Sequence, residues 1–375
     1  MTRRSGAARR IAPSVLIATG GTAGHIEPAL SVADALSELD PRITVTFLGS
    51  RRGLESRLVP DRGYPMHVVD AAPMPRGLAR DTLRRLRDIR RAARQAEEVI
   101  QQVDPDVVVG FGGYASAPAY LAARRCGVPV VIHEANARPG LANRLGARKA
   151  ARVLTSSAIP WAGARHVGLP LRRSIARLDR GAMRSSARSD LGLAPEGPVL
   201  LVFGGSQGAR RINDALAGAL PRLAAEGIRV LHLHGGANSA VADEGPAYRP
   251  FAYLERMELA YAAADLALCR AGAMTCGELT AVGLPAVYVP LPVGNGEQRL
   301  NALPVVEAGG GVIMDDADLS PARLVEVVLP LLHDERRLDA MSSAAYALGV
   351  RNGDVEVAAA VLDVVSSQMS GEEQR

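Results

Sequence analysis

The sequence contains few aromatic residues and few cysteines. Aromatic side chains make up 3% of its 375 residues, with a single tryptophan, and the three cysteines are Cys126, Cys269 and Cys276. An odd number of cysteines at unrelated spacings argues against a disulfide framework, and no CxxC metal pair is present. We therefore expect a protein of a reducing, cytosolic compartment.

Long hydrophobic runs are also missing. No run approaches the roughly 18 apolar residues that a membrane-spanning helix needs. The stretch Ile11–Ala18 follows a basic N-terminus, but it is too short, and too interrupted by Pro13, to be the apolar region of a secretory signal. It fits a first β-strand better, so the sequence predicts neither a membrane span nor a signal.

Charge of one sign is concentrated in two segments of a chain whose formal net charge is only +5. Four arginines before Ile11 contribute +4, and the segment Arg76–Arg94, with eight arginines and two aspartates, contributes +6. The rest of the chain is therefore mildly acidic. This distribution does not predict a nucleic-acid-binding protein, and any anionic partner should meet those two segments.

What the chain does have is a regular alternation of short apolar runs and amphipathic stretches. The predicted strands are Val15–Thr19, Thr44–Leu48, Val107–Gly110, Val128–His133, Arg152–Thr155, Pro198–Phe203, Arg229–His234, Leu266–Cys269 and Ala286–Val289. Predicted helices between them include Ala29–Leu39, Ala117–Arg125, Asn213–Glu226, Arg256–Ala264 and Thr275–Val282, and Arg165–Arg173 is predicted to be a strand followed by a linker. Such alternation indicates βαβ units and parallel sheets.

The fold class is therefore α/β. We predict two Rossmann-like, doubly wound parallel-sheet domains that face each other across a cleft, at residues 1–172 and 173–351. Open parallel sheets bind ligands at the carboxyl ends of their strands, so a ligand is expected in that cleft. The last helix, about residues 352–370, could pack against either domain.

Glycine-rich turns and polar side chains follow several strands of the first half. The turn Gly20–Gly24 lacks the GxGxxG pattern of dinucleotide sites and leads into His25, whose ordinary pKa of about 6.5 suits proton abstraction from a hydroxyl. A helix cap or a turn contact is the alternative role for His25. The turn Gly110–Tyr114 either lines an acceptor site or is a turn with only a packing role. His133, Glu134 and Asn136 together suggest a functional strand end at the cleft.

In the second half, the stretch Cys269–Ala302 is the strongest candidate for a nucleotide site. A turn at a helix N-terminus presents free N–H groups and the positive end of the helix dipole, which suits a diphosphate. One helical turn further on, Glu278 could accept both hydroxyls of a ribose. An ordinary βαβ unit with a surface glutamate is the alternative. The loop at Gly204–Gly208 offers Ser206 as a phosphate or sugar donor, or as a helix cap.

The basic segment Arg76–Arg94 also has an apolar face. Leu83, Leu86, Ile89 and Ala93 recur at helical spacing between the arginines. A helix of this kind can lie on an anionic membrane surface. It could equally pack its apolar stripe on its own domain and leave the arginines solvated.

Five motifs, in order, resemble one family. They are GGTAGHIEPAL at Gly20, GFGGYASAP at Gly110, HEANARPGLANR at His133, GGSQGARRIN at Gly204 and the stretch Arg270–Asn301. The family is that of the undecaprenyl-diphospho-muramoylpentapeptide β-N-acetylglucosaminyltransferases, the membrane-associated enzymes of peptidoglycan synthesis. The resemblance runs from about Val15 to Gly311.

This resemblance implies the GT-B architecture, with the last helix crossing back onto the N-terminal domain. It implies inverting transfer of N-acetylglucosamine from UDP-N-acetylglucosamine to the 4-hydroxyl of the muramic acid unit of lipid I, which forms lipid II. It also implies a peripheral location on the cytoplasmic side of the cell membrane, through the Arg76–Arg94 segment. No cofactor and no metal are expected, since helix N-termini and Arg172 can stabilise the leaving diphosphate.

Residue roles are implied by the resemblance as well. His25 matches a proposed base or acceptor contact, and Glu134 is a second candidate for the catalytic base. The donor is expected to contact Thr22, Ala23, Gly24, Asn136, Arg172, Ser206, Leu254, Ala273, Met274, Thr275, Cys276, Gly277, Glu278 and Gln298. In this group Asn136 and Gln298 would bind the sugar, Arg172 and Ser206 the diphosphate, and the backbone of Leu254 the uracil.

The sequence departs from the family pattern at a few positions. Ala23 stands where glycine is common, Cys276 and Gly277 replace larger or more polar residues, and Gly235–Ala237 replace a polar set. A different UDP-sugar transferase, acting on a lipid or natural-product acceptor, is the main alternative. A membrane-bound scaffold without turnover is disfavoured by His25, Glu278 and Gln298.

Overall fold

The computed structural model describes residues 12–21, 23–51, 53–71, 82–157, 161–205, 208–236, 238–242, 244–293 and 295–373. Each half of the chain forms a wholly parallel sheet flanked by helices, with seven strands in the first half and six in the second. Parallel strands need crossover connections, and the amphipathic stretches between the apolar runs supply them as helices. The predicted two-sheet α/β fold is confirmed.

The first sheet has the strand order β3-β2-β1-β4-β5-β6-β7. Its strands are β1 Ser14–Ala18, β2 Thr44–Ser50, β3 Met66–Val69, β4 Val107–Gly110, β5 Val130–Glu134, β6 Arg152–Thr155 and β7 Ala164–His166. Its helices are α1 Ala23–Leu39, α2 Glu55–Asp61, α3 Thr82–Val103, α4 Ser116–Cys126 and α5 Leu141–Gly146. β1 lies inside this sheet, between β2 and β4, and is fully buried, which fits its continuous apolar run.

The second sheet has the order β10-β9-β8-β11-β12-β13. Its strands are β8 Val199–Phe203, β9 Arg229–Leu233, β10 Tyr248–Phe251, β11 Leu266–Cys269, β12 Ala286–Tyr288 and β13 Gly311–Ile313. The helices of this half are α6 Arg173–Ala176, α7 Arg180–Asp190, α8 Arg210–Ala225, α9 Met257–Ala263, α10 Ala273–Val282, α11 Glu297–Glu307, α12 Pro321–Leu332 and α13 Glu335–Leu348.

The last helix, α14 Gly353–Glu373, returns to the first half of the chain. Val357, Ala358, Val361, Val364 and Val365 are buried in the same apolar cluster as residues of β1 and α1. A chain segment far from the first sheet in sequence thus covers part of that sheet's core.

The nine strands predicted by alternation occur within two residues of their expected positions, and the strand expected near Arg165 is β7. The pattern does not predict β3, β10 or β13, nor the helices α7, α12 and α13. All three missed strands lie at sheet edges, where strands are short and half-exposed and so lack a continuous apolar run. α10 begins at Ala273, two residues before the predicted start at Thr275.

Candidate active site

The turn after β1 brings His25 to the carboxyl edge of the first sheet. α1 begins at Ala23, so His25 lies in the first helical turn, and the Thr19 hydroxyl donates to its backbone carbonyl at 2.9 Å. The turn after β4 packs against the imidazole, because a side chain at Gly112 would meet His25 Cδ2 at 3.2 Å. Burial lowers the pKa of His25 below its usual value, while the nearby Glu134 and Glu55 carboxylates oppose that shift.

Glu134 ends β5 and is held by its surroundings. Its Oε1 accepts from the backbone N–H of Asn136 at 2.9 Å, and its Oε2 accepts from the N–H of Gly140 at 2.9 Å and from Asn143 Nδ2 at 3.0 Å. The carboxylate therefore holds the conformation of the loop that carries Asn136. Asn143 lies within the HEANARPGLANR motif, but the sequence assigns it no specific role.

His133, by contrast, is not a cleft residue. Its side chain is fully buried, bonds through Nε2 to the Gly168 carbonyl at 3.0 Å, and packs its ring on Phe111. Burial lowers the pKa of His133 to about 4. The expectation that it joins Glu134 and Asn136 at the cleft is wrong, because successive side chains of a strand point to opposite faces.

On the opposite side, α10 places Glu278 near the cleft. Gly272 caps the helix in an extended conformation, which leaves the first N–H groups of Ala273, Met274 and Thr275 without helical acceptors. The Tyr261 hydroxyl donates to Glu278 Oε2 at 2.6 Å. Burial raises the pKa of Glu278, and Arg172 and Tyr261 partly counter the rise. Tyr261 lies in the alanine-rich run of α9, and no sequence signal marks it.

Arg172 lies between carboxylates from both halves of the chain. Its guanidinium is 3.8 Å from Glu278 and 3.9 Å from Glu27 of α1. Burial alone would lower the pKa of Arg172, but Glu278 and Glu27 raise it above its usual value. Arg172 Nε and Glu27 Oε2 are both buried without a hydrogen-bond partner. Polar atoms left in this state suit a site that a polar ligand completes.

Two polar residues of α11 connect the loops around the cleft. Gln298 Oε1 accepts from the backbone N–H groups of Ala271 at 3.1 Å and Leu291 at 2.9 Å. Asn301 reaches across to the first half, where its Oδ1 accepts from the N–H of Ala137 at 2.8 Å. The candidate donor and acceptor loops are thus in direct contact.

The remaining predicted residues are placed as follows. Thr22 and Ser206 lie outside the described residues, and of Ala23 only the backbone is described. Gly24 follows in the first turn of α1, and Leu254 packs on the core of the second half. Cys276 is buried, and a Cβ on Gly277 would meet Leu169 at 2.7 Å, so both positions pack rather than face a ligand with their side chains.

The carboxyl edges of the two parallel sheets meet at one cleft. One side of this cleft carries a helix N-terminus, an arginine and a carboxylate, and the other side carries a histidine. This arrangement defines a GT-B glycosyltransferase. The family models for the N-terminal and C-terminal domains of glycosyltransferase family 28 match residues 15–155 and 199–357. The chain belongs to glycosyltransferase family 28.

Individual proteins support this assignment. A protein of Mycobacterium sp. (strain JLS), described as UDP-N-acetylglucosamine--N-acetylmuramyl-(pentapeptide) pyrophosphoryl-undecaprenol N-acetylglucosamine transferase, is 55% identical, with 96% of this chain and 97% of the relative covered. The crystal structure of Acinetobacter baumannii MurG is 29% identical and superposes with a TM-score of 0.74, covering 94% of this chain and 99% of that chain. The calicheamicin glycosyltransferase CalG4 shares only the fold, at 18% identity, a TM-score of 0.68, and coverage of 95% of this chain and 99% of that chain.

Proposed function

We propose that this glycosyltransferase moves N-acetylglucosamine from UDP-N-acetylglucosamine to the 4-hydroxyl of the muramic acid unit of lipid I, with inversion, to form lipid II and UDP. The observation that carries the proposal is 55% identity, over 96% of the chain, to a transferase described with this donor sugar and a pyrophosphoryl-undecaprenol acceptor. That similarity covers the acceptor half as well as the donor half, whereas the natural-product enzyme shares the fold alone.

In the proposed reaction His25 is the general base. Its neutral imidazole takes the proton of the acceptor 4-hydroxyl while that oxygen bonds to the anomeric carbon, and the bond from this carbon to the diphosphate breaks. We assign Glu134 a positioning role, because both of its oxygens already accept hydrogen bonds. The lowered pKa of His25 keeps the imidazole neutral, and so able to accept a proton, at neutral pH.

The donor is held by the second half of the chain and by Arg172. In this proposal the N-terminus of α10 and Arg172 bind the diphosphate and stabilise the charge that develops on it as UDP leaves. Glu278 accepts the ribose hydroxyls. Gln298, whose Oε1 is occupied, offers its NH₂ group to the sugar together with Asn136. Ser206, Leu254 and the loop Thr22–Gly24 complete the donor site.

Contact with the membrane is proposed through the basic segment Arg76–Arg94. Its first residues lie outside the described part of the chain. In the described part, Arg87, Arg90, Arg91 and Arg94 are exposed along α3, while Ala92, Ala93 and Ala96 are buried. Within the described residues, no helix combines the length and apolarity that a membrane crossing requires. These four exposed arginines, the arginine edge of α3, fit a peripheral contact with anionic lipid on the cytoplasmic side.

Transfer of labelled N-acetylglucosamine to a short-chain lipid I analogue tests the proposed function. The expected result is a labelled lipid II analogue with UDP-N-acetylglucosamine and little or none with UDP-galactose. Equal use of both donors, or transfer only to a lipid or aglycone without the muramoyl unit, would point to another UDP-sugar transferase and reject the proposal.

A further inference from the structure

Glu55, the first residue of α2, is a fully buried carboxylate outside the proposed substrate contacts. Its Oε1 accepts from the backbone N–H of Ser50 at 2.9 Å and from the Ser50 hydroxyl at 2.6 Å. Its Oε2 accepts from the backbone N–H of Gly21 at 3.0 Å. One side chain thus joins the end of β2 to the turn that leads into His25.

The chain leaves room for this carboxylate by using glycine around it. A Cβ on Gly20 would lie 2.5 Å from Glu55 Oε1, one on Gly49 would lie 2.6 Å from Cγ, and one on Gly53 would overlap the carboxylate. Protein interiors are close-packed, so the space left by these three glycines is filled by the buried Glu55 side chain. Burial of a carboxylate costs free energy unless hydrogen bonds compensate for the lost water. The hydrogen bonds that compensate Glu55 include one from the turn before His25, the proposed base.

We propose that Glu55 is a positioning residue for sugar transfer, whose carboxylate fixes the Gly20–Gly21 turn and thereby the first turn of α1, where His25 lies. This inference rests on the proposed function, because it takes His25 as the base. Glu55 does not touch the substrates in this scheme. It acts by holding the backbone from which the imidazole projects, and a small displacement of a catalytic group is enough to slow a reaction strongly.

A second effect of Glu55 is electrostatic. Burial lowers the pKa of His25, and the Glu134 and Glu55 carboxylates raise it in part. Glu134 comes from β5 and Glu55 from α2. Two other titratable groups lie nearby: Tyr114, in the turn after β4, packs its ring on Gly21, and Glu27 follows His25 by two residues in α1. Glu55 combines this charge with a described hydrogen bond to the turn that carries His25, from the N–H of Gly21.

Glu55→Gln is the test, because the amide has the same shape. If its oxygen faces Ser50, its NH₂ group faces the Gly21 N–H, and a donor then opposes a donor. We expect kcat to fall roughly 10- to 100-fold with the donor KM within about twofold of wild type, as for a misplaced base. We also expect the His25 titration, followed by NMR and assigned by its loss in His25→Gln, to move to lower pH. Asp61→Asn, an exposed carboxylate on the same helix, should leave both readouts unchanged.

The NMR titration separates this inference from the proposed function, since it needs no substrate. Absence of transfer by the wild-type protein would reject the function but leave the titration to decide on Glu55. Wild-type kcat and an unmoved His25 titration in folded Glu55→Gln would overturn the inference. If Glu55→Gln does not fold, Ser50→Ala removes one donor to the carboxylate, and we then expect a smaller loss of kcat; unchanged kcat there would overturn it too.

Discussion

At the scale of single residues, the cleft is built around charges that are only partly compensated. Arg172 stands within 4 Å of Glu278 and Glu27, yet its Nε makes no hydrogen bond to either. In the proposed function, a diphosphate oxygen accepts from this Nε–H group, and Glu278 accepts from the ribose hydroxyls.

The role of Glu278 in donor binding gives the first prediction. Glu278→Gln should raise the KM for UDP-N-acetylglucosamine about tenfold or more, because hydrogen bonds to a charged acceptor contribute about 1.5–3 kcal/mol. kcat should change little, since ribose contacts are the same in ground and transition states. Initial rates and calorimetric UDP binding measure this. Glu307→Gln, an exposed carboxylate of α11, is the control. Unchanged UDP affinity in Glu278→Gln would remove the ribose assignment.

His25 gives a prediction about pH. Its pKa is lowered mainly by burial, and the base must be neutral, so the imidazole stays active below the pH at which an ordinary histidine protonates. The acid limb of kcat/KM should therefore lie below about pH 6.5, and it should be absent from the residual activity of His25→Gln. UDP binding should persist in that variant. An acid limb at or above the ordinary histidine value would contradict the assignment.

The position of a side chain can be predicted from the sequence where it follows a strand end or opens a helix within a motif, but not where packing between distant segments decides it. His25 and Glu278 are predicted because a glycine turn or a helix start precedes each. His133 is predicted in the cleft but is buried, because alternation along β5 turns it inward. Glu55 and Tyr261 carry no sequence signal, since their partners come from other segments.

At the scale of elements, the inner strands and several of the helices between them are predictable from periodicity, whereas the edge strands are not, with β7 as the exception. β3, β10 and β13 are short edge strands with one neighbour each. α7 packs against α9, but its composition is so polar that the sequence does not indicate this contact. α3 is a mixed case. Its apolar stripe was expected either on a membrane or on its own domain. Ala93 of that stripe is buried, as are Ala92 and Ala96, whereas the side chains of Leu83 and Leu86 lie outside the described part of the structure. From Arg87 onward, where side chains are described, Arg87, Arg90, Arg91 and Arg94 form an exposed arginine edge that a lipid surface could contact.

That arginine edge predicts salt-sensitive binding to anionic membranes. Replacing Arg87, Arg90 and Arg94 with glutamine should remove about 1 kcal/mol per residue and weaken binding to phosphatidylglycerol vesicles roughly a hundredfold. Co-sedimentation with vesicles measures the loss. Replacing the exposed Arg323, Arg336 and Arg337 of the second half changes the charge equally and should have little effect. Equal weakening by both triple variants would mean that net charge, rather than α3, governs binding.

At the scale of the whole molecule, the two halves are tied together by two kinds of contact. Polar contacts cross the cleft, as at Asn301 and Ala137. An apolar cluster with Leu169, Leu171, Ala176 and Ala281 lies where the chain passes from the first sheet to the second. The sequence predicts both sheets but not these contacts, because each joins residues far apart in the chain.

The return of α14 to the first half predicts a long-range effect on stability. Val361 is fully buried with residues of β1 and α1, so Val361→Ala removes methyl groups from the core of the first half. The expected loss is about 2 kcal/mol of unfolding free energy, measured by urea denaturation. Val355→Ala, on the same helix but 39% exposed, should cost much less. Hydrogen exchange should place the effect of Val361→Ala in β1 and α1 rather than in the second sheet, because a buried side chain stabilises the elements it contacts. Equal losses for the two variants, or protection lost only in the second half, would mean that α14 does not complete the core of the first half.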